Sequence, residues 1–230
     1  MLVKTGSKIA VKNTANTHKK ERKNMWNDIS AAWKAAFEAG WESFKNGSIP
    51  IGAAICDENG AMICVGRNKV REIRHGNDRI AHAETDCLSQ LDTSSFPNVK
   101  SYTLYACMEP CPMCMGTFVM SNFRHLRIAA RDSYCGAVHY CENDPYIRSK
   151  SIDVVFDDGE LQFVQLVMQS YFEMKLNGGS ENAVIGCFAK TCPEAVALSR
   201  KLHENQTLDK FAQSGTSFGE VFDFILKNKP

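Results

Sequence analysis

His82-Ala83-Glu84 and Pro110-Cys111-Pro112-Met113-Cys114 are the two runs on which the reading of this chain turns. Twenty-five residues, Thr85 to Glu109, separate them, so the sequence reads H-x-E, a spacer, then P-C-x-x-C. One imidazole and two thiolates fill three corners of a zinc tetrahedron and leave the fourth open. Catalytic zinc needs that open corner, whereas structural sites are closed by four protein ligands. Zinc held in this way lowers the pKa of its water towards neutrality. Glu84 lies two residues beyond the histidine, near the metal without being needed as a ligand, and so suits a proton shuttle. Cys111 and Cys114 are three apart and face the same way at the start of a helix, where the dipole and free N–H groups favour thiolates. Two competing readings are half of a four-cysteine structural zinc site and a redox pair. No second CxxC exists to close the first, and the second does not account for His82 and Glu84.

The arrangement resembles the zinc-dependent cytidine deaminase superfamily, whose signature is H-x-E followed by P-C-x-x-C, and it matches at every signature position. Ala81 to Cys87 and Tyr105 to Gly116 are most similar to the branch holding bacterial tRNA adenosine deaminases, guanine deaminases and fungal-type cytosine deaminases. The resemblance runs from about Met25 to Lys175. It implies zinc on His82, Cys111 and Cys114, with Glu84 as the catalytic acid/base. It also implies that Asn68, in Gly66-Arg67-Asn68, binds substrate, and that backbone N–H groups near Ala83 and Cys111 support the site. Members close part of the substrate pocket with the connection that here is Lys69 to Arg79, and they commonly form dimers whose partner helps to wall it. Relatives often carry proline and threonine just before the histidine; this chain has Asn77-Asp78-Arg79-Ile80 there, so Arg79 and Ile80 are candidate pocket residues.

Around this centre, 230 residues allow one domain with an extension or two small domains. The net charge of +1 hides an asymmetry: residues 1–24 carry seven Lys or Arg and one Glu, and the remainder is net −5. The first 24 residues lack periodicity and read as a basic disordered tail rather than a nucleic-acid-binding one. The mildly acidic body argues against a large polyanion-binding face. No apolar run is long enough to span a membrane, and no apolar h-region opens the chain, so a secretory leader is not expected. The ten cysteines fall mostly in apolar strand or helix patterns and read as reduced thiols, which places the protein in the cytoplasm.

Apolar spacing predicts an amphipathic helix from Met25 to Lys45, then a hairpin from Ile51–Cys56 and Ala61–Val65 across Asp57-Glu58-Asn59-Gly60. Further elements are a helix over His82–Leu91, a strand over Ser101–Ala106, a helix over Cys111–Ser121 and a strand over Leu126–Ala130. A loop-rich stretch, a strand over Ile152–Phe156 and a helix over Leu161–Met174 complete the body. In the loops, His75 reads as a surface histidine, Glu109 as structural or rim-lining, and Tyr134, His139 and Tyr146 as candidates for stacking. Asn177-Gly178-Gly179-Ser180 is a flexible break, after which 193–205 and 217–228 look helical. This C-terminal extension, 176–230, is open to three roles: lid, dimer element or stabilising cap. The element order predicts an α/β fold, a three-layer α/β/α sandwich on a mixed five-stranded sheet.

The expected function is zinc-dependent hydrolytic deamination of a nucleobase or nucleoside, a purine such as guanine first, with release of ammonia. The alternatives are a tRNA adenosine-to-inosine deaminase, which needs basic surface around the pocket, and a non-catalytic zinc-binding interaction domain, against which the intact Glu84 argues. A homodimer is expected, with Met115, Phe118 and Val119 of the second metal helix as its surface.

Overall fold

The computed structural model describes residues 25–72 and 76–230; the expected basic tail and His75 lie outside the described residues. Helix α1 runs Ala31–Lys45, capped by Ser30, whose Oγ accepts the Trp33 N–H at 3.4 Å. Its buried stripe is Trp33, Ala36, Phe37, Gly40, Trp41 and Phe44. The helix therefore does not start at Met25. A single 3-10 turn, Met25–Asp28, precedes the cap, because the Ser30 hydroxyl competes with the backbone for N–H groups. Strands β1 (Gly52–Cys56) and β2 (Met62–Arg67) form the hairpin, its turn held by Asp57 Oδ1, which accepts the Asn59 and Ala61 N–H groups.

Helix α2 (Ala83–Ser89), β3 (Thr103–Met108), α3 (Pro112–Met120) and β4 (His125–Ala130) follow. Two single-turn helices, α4 (Tyr140–Asn143) and α5 (Pro145–Arg148), occupy the loop-rich stretch before β5 (Asp153–Phe156) and α6 (Glu160–Leu176). The sheet order is β2-β1-β3-β4-β5, with β1 antiparallel to both neighbours and β3, β4 and β5 parallel. On one face α1 and α6 pack over Ala54, Cys107 and Ala129; on the other, α2 and α3 pack over Ala53, Ile55, Leu104 and Ile128. This is the mixed three-layer sandwich expected from the element order. It places the starts of α2 and α3 at one end of the sheet, where open α/β folds bind ligands. The α2–β2 approach depends on Gly66: a Cβ there would stand 2.4 Å from the Ala83 carbonyl oxygen and from the Cys87 nitrogen.

The C-terminal part is helical throughout: α7 (Ala183–Thr191), α8 (Pro193–Glu204), α9 (Thr207–Gln213) and α10 (Phe218–Lys227). It shares one core with α1 and α6. Phe218 stacks on Phe37 at 5.6 Å, Trp41 Nε1 donates to the Thr216 carbonyl at 3.1 Å, and Ser199 Oγ donates to the Val167 carbonyl at 3.0 Å. The extension thus packs as part of the core of the body. Met115, Phe118 and Val119 are buried against the sheet within the chain, so they cannot form the dimer surface expected of them. The apolar side of α3 is spent on its own core, and Met120 is the side chain left outside. No helix among the described residues is long and apolar enough to cross a membrane.

Candidate active site

His82 is the N-cap residue of α2 and Cys111 that of α3, with Pro112 in the first helical position. Neither side chain caps its own helix, so both are free to turn towards each other. His82 Nδ1 lies 3.6 Å from Cys111 Sγ and 3.5 Å from Cys114 Sγ. Among the described residues, these three side chains form a group able to hold a metal ion, with all donor atoms within 4.8 Å of one another. Tetrahedral zinc bonded at about 2.0–2.1 Å to nitrogen and about 2.3 Å to sulfur sets such donors about 3.6 Å apart. The donor set therefore fits zinc in both identity and spacing. The Arg79 backbone nearby is a further, smaller influence that raises the imidazole.

The electrostatics are those of one proton shared by two thiols. Cys111 is pushed down to about 4, first by the hydrogen bond from Cys114 and then, against burial, by the one to His82. Cys114 is pushed up by the same pairing and by its own burial. The His82 imidazole is pushed up, chiefly by the bond to Cys111. Glu84 sits in the first turn of α2 with 4% of its surface exposed. Burial pushes its carboxyl up, and neighbouring His82 opposes that only in part. Glu84 and Cys114 also shift each other's titration, as neighbours do, which places the carboxyl beside the metal-binding group. Asp86, one turn along α2, accepts from the Arg67 N–H at 3.0 Å and from Lys69 Nζ at 2.7 Å, tying the helix to the segment that carries Asn68.

A cavity of about 180 Å³ opens from this group. Asn68 lines it and is 1% exposed; its Oδ1 accepts the Val70 N–H at 3.0 Å. Ala83 is wholly buried, and the wall at that point is made by its neighbours His82 and Glu84. Tyr134 lines the cavity with more than half its surface exposed. His139 packs on Tyr140, and Tyr146 lies beside Met120, so neither reaches it. Arg79 and Ile80 sit on a 3-10 turn outside the cavity, Ile80 facing solvent. Glu109 lines it as well, its carboxylate accepting the Val138 and Asp132 N–H groups at 3.1 and 3.2 Å. Gly136 packs so closely on that carboxylate that a Cβ would lie 2.6 Å from Glu109 Oε2.

The far wall escaped the sequence reading. Gln169 and Glu173 come from α6, and Val184 and Phe188 from α7. The usable signal was two glutamines four apart, Gln165 and Gln169, inside an otherwise apolar helical run. The first is accounted for by a bond from its Nε2 to the Pro50 carbonyl at 3.0 Å; the second faces the cavity.

A mixed sheet of this order, with a histidine–dithiol group at two helix starts and a buried carboxylate against it, defines a zinc-binding hydrolytic deaminase. The sequence pattern of the cytidine and deoxycytidylate deaminase zinc-binding region matches residues 27–130. The tRNA-specific adenosine deaminase of Rickettsia bellii is 32% identical over 111 residues, covering 47% of this chain and 73% of that protein. The tRNA(Ile)-lysidine synthase of Deinococcus radiodurans is 28% identical over 111 residues, 48% of this chain but only 19% of that protein. The solved structure of NE0047 in complex with 2,6-diaminopurine shares the fold, with 23% identity, 66% of this chain and 85% of that chain covered, and a TM-score of 0.52. The chain belongs to the cytidine and deoxycytidylate deaminase zinc-binding family.

Proposed function

We propose that the protein deaminates a small nucleobase, a purine such as guanine first, and releases ammonia. The observation that carries this is the size of the cavity. At about 180 Å³ it is smaller than the roughly 300–1,000 Å³ that holds a drug-sized ligand, which suits a single ring system. Zinc held by His82, Cys111 and Cys114 would supply an acidified water and positive charge beside the reacting carbon. Glu84 is the group placed to hold a proton there and to pass it to a ring nitrogen and then to the departing amine. Asn68 orients the ring through its NH2, and the α2 backbone at Ala83 supports the opposite edge. The charge of the body agrees with a small substrate: from residue 25 it is net −5, whereas docking an RNA stem calls for several phosphate contacts.

A second reading is deamination of adenosine in tRNA, favoured by the relative from Rickettsia bellii. Ammonia release by the full chain, screened across free bases, nucleosides and tRNA, separates the two. Turnover of a free base supports the first reading, and inosine formed in tRNA with every small substrate inert replaces it by the second. We also propose a cytoplasmic homodimer. All ten cysteines are free thiols, as a reducing compartment requires.

A further inference from the structure

The geometry points to Gln169 and Glu173, held in place by α7, as the element that selects an unglycosylated ring carrying an N–H donor. Gln169 is 6% exposed, and its Nε2 donates to Glu173 Oε1 at 3.0 Å. A carboxylate only accepts, so the amide orientation is determined: the NH2 faces Glu173 and Oε1 faces away from it. That Oε1 is buried with no hydrogen-bond partner. Buried side-chain carbonyls are ordinarily paired, and one that is not, in a cavity wall, marks a place where a donor belongs. Gln169 lines the cavity, so a ligand seated there is the source of the donor we assign to this atom.

Glu173 is not free to swing away. Its Oε2 accepts from Asn182 Nδ2 at 2.8 Å, and Asn182 Oδ1 in turn accepts the Ile185 N–H at 3.0 Å as the N-cap of α7. One polar chain thus runs Gln169–Glu173–Asn182 into the helix whose Val184 and Phe188 form the adjoining apolar wall. The cap and the wall are one object. The chain builds with its own C-terminal helices a side of the cavity that offers two acceptors, Gln169 Oε1 and the Glu173 carboxylate. A ring nitrogen bearing hydrogen satisfies that side; a ring nitrogen bearing a methyl group or a sugar leaves the carbonyl unpaired.

This rests on the deaminase reading for what the ligand is, and on the contacts above for how it is read. The probe is 2-aminopurine, a fluorescent purine with a single ring N–H, compared with 9-methyl-2-aminopurine, which lacks it, by fluorescence titration into zinc-loaded full-length protein. Wild type should bind the N–H form about tenfold or more tightly than the methylated form, the scale set by leaving one buried acceptor unpaired. In Gln169→Met, which keeps the length of the side chain and removes the acceptor, the two should bind within about twofold of each other. Equal binding of both forms by wild type overturns the inference without any variant. A gap that persists in Gln169→Met shows it to be steric and overturns it too, as does failure of the N–H form to bind. Ammonia assayed in the same samples tests the other reading separately: a gap that Gln169→Met abolishes, with no base deaminated, upholds the recognition wall and sinks the nucleobase deaminase assignment.

Discussion

Cys111 lies between a thiol that donates to it and an imidazole nitrogen 3.6 Å away, so its loss opens the donor set from two sides. Cys111→Ala should lose most of its zinc, as read by elemental analysis against near-stoichiometric wild type; full retention would overturn the ligand assignment. Glu84→Gln keeps the donor set and the shape. It should retain zinc and fold while losing rate by about 10²-fold or more, the usual scale for a general acid/base; activity within a few-fold of wild type rejects the shuttle. A third prediction concerns the pair Arg67–Glu72, two bonds of 2.6 and 2.7 Å with both side chains less than a quarter exposed. Arg67 holds the Glu72 carboxyl below its ordinary 4.5. A depressed acid contributes stability that is complete above 4.5 and lost as pH falls through the folded value. Glu72→Gln should therefore cost about 1 kcal/mol at pH 7, and the Tm values of the two proteins should converge as pH falls below 4.5; a constant gap would mean that the pair's charge is not its contribution. The residues around the metal were readable because their spacing along the chain encodes the geometry. Glu173 was not, since a glutamate near the end of a long helix looks the same in sequence whether it meets solvent or a cavity.

Gly66 illustrates what an element demands of its neighbour. With β2 and α2 in backbone contact, Gly66→Ala inserts a methyl group 2.4 Å from main-chain atoms that cannot turn aside. Overpacking of this kind costs about 1–3 kcal/mol, and at this chain length each kcal/mol lowers Tm by about 2–4 °C, so thermal unfolding should show a drop of several degrees. Because α2 carries His82, zinc should be released at a lower chelator concentration in the same variant. Wild-type values in both measurements would show that the helix can move off the strand. The sheet and both metal-site helices were legible from apolar alternation and helical spacing, each within a few residues. The losses came where local signals conflict. Ser30 reads as a helical residue in a long periodic run, yet its hydroxyl caps α1. Helix α7 is nine residues long, contains Gly186 and follows a glycine pair, so its composition reads as linker. Its order comes from contacts with α6 and α8 rather than from propensity.

For the molecule as a whole, assembly is the open variable. The face of α3 left to solvent carries Met120, 71% exposed, beside Tyr146, 52% exposed, with Lys150 over the tyrosine ring at 4.1 Å. A homodimer should be found by light scattering at micromolar concentration, and Met120→Glu should shift it towards monomer; a wild-type monomer would overturn the proposal. The shared core has a further consequence for how the protein comes into being. Trp26 donates its backbone N–H to Asp223 across 197 residues and packs its ring on Phe218 and Phe222, which also flank Phe37. Helix α1 is thus covered by α10 from the far end of the fold's sequence order. During synthesis Phe37 and Trp41 stay uncovered until α10 has been made, so contacts of this sequence separation close late and leave apolar surface exposed in the meantime.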